Sequence, residues 1–206
     1  MNISSKALRF TRIAILVALI FLLSTFQSKF VLAQIPVIIG AALFGPAAGA
    51  VLGFFFGLSE YIQAFMGSTL LPKAALAHAP VIYTLICFLS RILMGWLTGL
   101  FAARIKKNAE KKAESTGGKP GVSIWKHGLI GFTGSLLNTV LYLGSFFVLL
   151  ADVLMDANTT GTGLFGYVLI LAVFFGIPEA LISALVVPAV CRAMEVIFRR
   201  LPTPKN

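Results

Sequence analysis

From Phe30 to Ser59 this sequence runs without a charged side chain, and long charge-free stretches also precede and follow that segment. Only 12% of its 206 residues are charged, about half the roughly 25% usual in a soluble domain. A spanning helix needs about 20 apolar residues, so the chain can supply six. Their approximate limits are 8–25, 30–44, 46–65, 80–103, 127–150 and 164–197. The expected fold is therefore an all-α membrane protein, one domain over 1–206, with six transmembrane helices. No length remains for a second, soluble domain.

The net charge of +10 raises the question of nucleic acid, and the placement of the bases answers it. Lys6, Arg9 and Arg12 precede the first apolar run. Arg104, Lys106, Lys107, Lys111, Lys112, Lys119 and Lys126 surround the long polar stretch, and Arg192, Arg199, Arg200 and Lys205 close the chain. In a six-span arrangement all of these fall on one side, the positive-inside pattern. The bases thus face the cytoplasm, both termini are cytoplasmic, and the expected partner is the lipid bilayer, with no nucleic acid required.

Residues 1–34 resemble a signal peptide, with a basic start, an apolar run from Ile13 to Leu23 and Val-Leu-Ala before Gln34. Gln27, Ser28 and Lys29 interrupt the join, whereas a cleavage site follows its apolar region closely. Removal would also put the basic loop and the C-terminus on opposite sides. The segment is read as the first helix. Cys87 and Cys191 lie inside apolar runs and read as small buried residues.

The run from Ile35 to Phe44 is too short to cross alone and stops at Gly45-Pro46, a strong helix punctuator. It is either a half-helix or a span begun near Phe30. Met66–His78 and Asp152–Gly163 read as external loops, and 104–125, poor in large apolar side chains, as a flexible cytoplasmic linker. Pro178 and Pro188 are expected to kink the sixth span.

Gly45, Gly49, Gly53 and Gly57 recur every fourth residue, with Ala41 one step earlier. That spacing makes a small-residue stripe on one helix face, suited to close backbone packing or to a ligand or partner that slides past. Ala14 and Ala18 form a shorter version on the first helix. Polar groups inside spans are costly and mark sites. They are Glu60, Gln63, Arg91 and Asn138 with Tyr142 one turn away, and Glu179. The topology gathers them in the outer half of one bundle, the shape expected of a polar-ligand pocket. Arg91 either pairs with Glu60 or Glu179 or meets a ligand carboxylate, which its planar fork suits. Glu179 repels such a ligand unless paired or protonated.

No catalytic, cofactor or metal signature emerges. Gly57-Leu58-Ser59-Glu60 lacks the second glycine of a nucleophile elbow, and His78 and His127 fall at loop edges on opposite sides. There is no phosphate-binding Gly-x-x-x-x-Gly-Lys run, so ATP hydrolysis would belong to partners.

Ile35-Pro36-Val37-Ile38-Ile39-Gly40, Leu43-Phe44-Gly45-Pro46 with Gly49 to Gly57, Ser90-Arg91-Ile92-Leu93-Met94-Gly95, and Gly134-Ser135-Leu136-Leu137-Asn138-Thr139-Val140-Leu141 together carry a resemblance. Over most of residues 8–190 the chain resembles the S components, the vitamin-binding subunits, of energy-coupling factor (ECF) transporters, and looks most like the pantothenate branch. The resemblance implies six helices in a bacterial cell membrane and one ligand site near the external face. It also implies a first-helix Ala-x-x-x-Ala, here Ala14 and Ala18, that meets a transmembrane coupling subunit driven by two cytoplasmic ATPases. The S component then topples to release its vitamin inside. Arg91 would bind the carboxylate, Asn138 an amide or hydroxyl, and Tyr142 an apolar portion, with Glu60, Gln63 and Glu179 lining the rest. The loops after spans one and three would close over the ligand. The competing readings are an S component for another vitamin, a standalone carrier with Glu60 or Glu179 as proton-coupling acid, and an intramembrane enzyme using Ser59.

Overall fold

The structure, a computed structural model, describes residues 5–26, 31–67, 70–117, 121–156, 161 and 163–200. Among them all regular structure is helical. The helices are α1 (Ser5–Thr25), α2 (Gln34–Phe44), α3 (Pro46–Phe65), α4 (Leu70–His78), α5 (Pro80–Thr116) and α6 (Ile124–Leu149). Then come α7 (Ala151–Asp156), α8 (Leu164–Leu171), a π-helical turn (Ala172–Gly176) and α9 (Ile177–Arg200). Ala7–Thr25, Pro46–Phe65, Pro80–Thr116, Ile124–Leu149 and Leu164–Met194 are long and apolar enough to cross a membrane. Large apolar side chains such as Leu85, Leu89, Val140, Phe174 and Leu185 point outward from them, as a lipid-facing surface requires.

The sixth apolar segment, α2, is a half-helix. It begins at Gln34, and Leu32 and Ala33 before it form a turn rather than more helix. Eleven residues give about 16 Å of helix, roughly half a bilayer core. Every residue from Gln34 to Ala42 is buried, because a helix apolar on all faces is stable only when surrounded. It packs against α1, α3, α5, α6 and α9. Its last carbonyls are capped from neighbouring helices. Arg9 Nη2 donates to Phe44 O at 3.0 Å, and Lys106 Nζ donates to Leu43 O at 3.3 Å. Two bases at a helix C-terminus also suit its negative dipole end.

Gly45 then turns the chain. Its φ of 90° is open to glycine and hostile to side chains, and Pro46 follows at the first helical position, where its missing N–H costs nothing. A Cβ on Gly45 would meet nothing within 4 Å, so this glycine serves the turn. The rest of the stripe is a backbone contact between antiparallel α3 and α5. A Cβ on Gly49 would overlap the Gly95 carbonyl, one on Gly53 the Arg91 carbonyl, and one on Gly57 would come within 2.9 Å of the Cys87 carbonyl. Gly95 and Gly99 answer from α5 against Gly49 and Pro46. The buried Cys87 adds an Sγ contact to Gly57 O at 3.3 Å.

Three segments expected as loops contain helix. Residues 104–116 of the expected linker continue α5, because Ala, Arg, Lys and Glu are strong helix formers whatever their polarity. Gly117, left-handed at φ 64°, ends the helix by donating to Ala113 O. The expected external loop Met66–His78 holds α4, rich in Leu and Ala, with Pro72 in its first turn. The loop Asp152–Gly163 contains the end of α7. The polar stretch Gln27 to Lys29 lies outside the described residues. In the last span a π turn precedes Pro178, and one wide turn relieves the clash a proline ring makes with the preceding carbonyls. Pro188 sits within continuous α9.

Gly53→Leu should separate α3 from α5 and destabilise the fold by at least about 1–3 kcal/mol, the cost of overpacking. Gly144→Leu, where a Cβ meets open space, should leave detergent thermal stability nearly unchanged. Equal melting temperatures for the two variants would contradict the contact.

Candidate functional site

A cavity of about 300 Å³ opens among α3, α4, α5, α6, the π turn and α9. Its polar wall is Glu60 from α3, Arg91 from α5, Asn138, Thr139 and Tyr142 from α6, and Glu179 from α9. The apolar wall comes from Val31, Leu71 and Pro72, Leu143, and Leu171, Phe175 and Gly176. Here the structure brings together Glu60, Arg91, Asn138, Tyr142 and Glu179, five side chains from four helices. Gln63 stands one turn beyond Glu60 and does not line the cavity, although its Nε2 is buried without a hydrogen bond.

Arg91 dominates the site. It is 2% exposed, and an uncompensated guanidinium at that depth would be prohibitively expensive. Compensation comes from several sides. Its guanidinium carbon lies 3.8 Å from the centre of the Tyr142 ring and 5.4 Å from that of Phe56, within cation–π range. Nη1 donates to Ser90 Oγ at 3.0 Å, and Ser90 in turn donates to Ile86 O at 2.5 Å. Nη2 stands 3.9 Å from Glu60 Oε2, an ion pair too long to be a hydrogen bond. Nε has no partner. Arg91 is thus paired with Glu60 only loosely, and one of its donor positions stays open.

Glu179 is held differently. Its Oε1 accepts the Val31 backbone N–H at 2.9 Å, and Oε2 accepts from Gln34 Nε2 at 3.2 Å. Gln34 also donates to Ser135 Oγ at 3.0 Å. Because Gln34 is the first residue of α2, the carboxylate sits at the positive end of the half-helix dipole, a favourable place for an anion. Glu179 is a satisfied floor group, and Arg91 pairs with Glu60 rather than with it.

Asn138 is 5% exposed, and its Oδ1 has no hydrogen-bond partner. Tyr142 meets Phe146 edge-on at 4.9 Å, which fixes the ring under Arg91. The π turn places Gly176 against Thr139, where a Cβ would come within 2.6 Å of Thr139 Cγ2. Only glycine lets α6 and the last span close at the cavity edge.

Sequence reasoning missed Gln34, Ser135, Thr139 and the α4 residues Leu71 and Pro72. A glutamine opening an otherwise apolar run was the available signal for Gln34. The two Leu and Pro positions carried none, since apolar cavity lining looks like any apolar helix. Ser59 is buried, shares a 2.9 Å hydrogen bond with Ser24 and donates to Phe56 O at 2.8 Å. It does not line this cavity. His127 is 1% exposed within α6, not at a loop edge, while His78 is exposed at the end of α4. Ala14 and Ala18 are both exposed on α1.

Among curated proteins no match was found. The protein-family model described as ECF transporter, substrate-specific component matches residues 8–191, nearly the whole chain and every residue that lines the cavity. The chain belongs to the family of substrate-specific components of ECF transporters.

Proposed function

We propose that this chain captures a small water-soluble vitamin, pantothenate foremost, from outside a bacterial cell and passes it inward with a coupling subunit and two cytoplasmic ATPases. The observation that carries this reading is Arg91, buried at the cavity wall, stacked on Tyr142 and with Nε open. A guanidinium so placed is pre-organised for a carboxylate. Asn138 Oδ1, also open, takes a hydroxyl or amide N–H, and the Tyr142 and Phe175 rings take apolar carbons. The volume of about 300 Å³ lies at the small end of ligand pockets, in keeping with a compact vitamin. Glu60 and Glu179 complete the lining, and Gln63 supports it from the next turn. The coupling subunit would dock on α1, where the exposed Ala14 and Ala18 present a small-residue face that another helix can approach closely.

Calorimetry on purified protein with pantothenate, pyridoxine, folate and riboflavin tests the reading. Pantothenate should bind below micromolar, and failure of all four to do so would remove the vitamin assignment. Arg91→Met should abolish binding, and Arg91→Lys should weaken it by about 10–100-fold, the value of a hydrogen bond to a charged group. Asn138→Leu should cost about tenfold. Ala14→Trp with Ala18→Trp should keep vitamin binding and lose copurification with the coupling subunit; retained copurification would exclude this face.

A further inference from the structure

The hydrogen-bonding inventory of the cavity specifies the ligand more narrowly than its volume does. Glu179 has both carboxylate oxygens occupied, by Val31 N–H and Gln34 Nε2. Three other polar groups on the wall are incomplete. Arg91 Nε is a donor with no acceptor, and Asn138 Oδ1 is an acceptor with no donor. Glu60 is four-fifths buried, and its contact with Arg91 is 3.9 Å long, so its carboxylate has charge nearby but no hydrogen bond from that partner.

A ligand carboxylate that takes the open edge of Arg91 places a second anion on one guanidinium. Glu60 then shares with the ligand the one counter-charge it has among the described residues, and once a bound ligand displaces the water of the cavity its oxygens need donors. Asn138 Oδ1 needs one as well. An acid that offers only its carboxylate would leave both unsatisfied. Resting on the vitamin-capture reading above, we infer that the ligand is a carboxylic acid carrying at least two further N–H or O–H donors, one for Glu60 and one for Asn138. Glu60 is then the residue that distinguishes donor-bearing acids from plain ones. Sites that hydrogen-bond a ligand group strongly reject analogues lacking it, because the buried protein group is left unpaired.

The test is a competition panel on the full-length protein in detergent. Pantothenate and biotin carry a carboxylate plus several N–H or O–H donors, whereas lipoate and nicotinate carry a carboxylate and no other donor. At least one donor-bearing acid should bind wild type about 100-fold more tightly than either donor-free acid. This comparison needs no variant to fold. In Glu60→Gln the ratio of donor-bearing to donor-free affinity should fall at least tenfold, in whichever direction the absolute affinities move. Lipoate or nicotinate binding as tightly as pantothenate or biotin overturns the inference and leaves vitamin capture intact. So does an unchanged ratio in a Glu60→Gln protein that melts like wild type. Biotin binding without pantothenate upholds the inference and removes only the pantothenate assignment. If none of the four acids binds, the inference falls, and vitamin capture is then decided by pyridoxine, folate and riboflavin in the calorimetry above.

Discussion

The closeness of α3 to α5 underlies the site. Where Gly49, Gly53 and Gly57 face Gly95, Arg91 and Cys87, the two backbones touch without intervening side chains. In a membrane, where helices gain no hydrophobic advantage from meeting each other, such contact is a principal source of association. It also sets depth. The Arg91 carbonyl rests on Gly53, so the arginine cannot slide along its neighbour without forcing a carbonyl against a helix that has no room. The same register leaves Glu60 on α3 opposite Arg91 at 3.9 Å. The ion pair is a result of the packing more than its cause.

The second constraint is electrostatic. Two carboxylates and one guanidinium share the cavity wall, and their sum is negative unless something offsets it. The start of α2 supplies the offset. Its dipole contributes roughly half a positive charge at the N-terminus, where Val31 and Gln34 hold Glu179. Arg9 and Lys106 hold the opposite end. A helix too short to cross thereby serves as an internal strut with both ends neutralised.

Much of this was legible in the sequence because membrane constraints are severe. Charge-free runs announced the spans, and Glu60, Arg91, Asn138 and Glu179 inside them marked the wall, with Gln63 one turn off it. The stripe from Gly49 to Gly57 announced a close contact, although not which helix it would meet. Other features were hidden for physical reasons. The stretch after Arg104 is polar and solvated, which resembles disorder, yet Ala, Lys and Glu favour helix on their own. Gly45 shares the spacing of its neighbours but is needed for its positive φ, a property that periodicity does not encode. Gln34 joins Ser135 and Glu179 across more than a hundred residues of chain, a pairing that only the fold creates.

The long helix and the interrupted one give the cavity two mechanically different sides. α5 runs unbroken from Pro80 to Thr116, about 55 Å of regular hydrogen bonding, and carries Arg91. Facing it, the last span passes the cavity through a π turn followed directly by Ile177-Pro178, where the ladder is already irregular and Phe175 and Gly176 form the lining. Shape can therefore adjust on one side while charge stays fixed on the other. On the proposed carboxylate reading, ligands of different outline would meet the yielding wall, while each would present its anion at the same point on the stiff one.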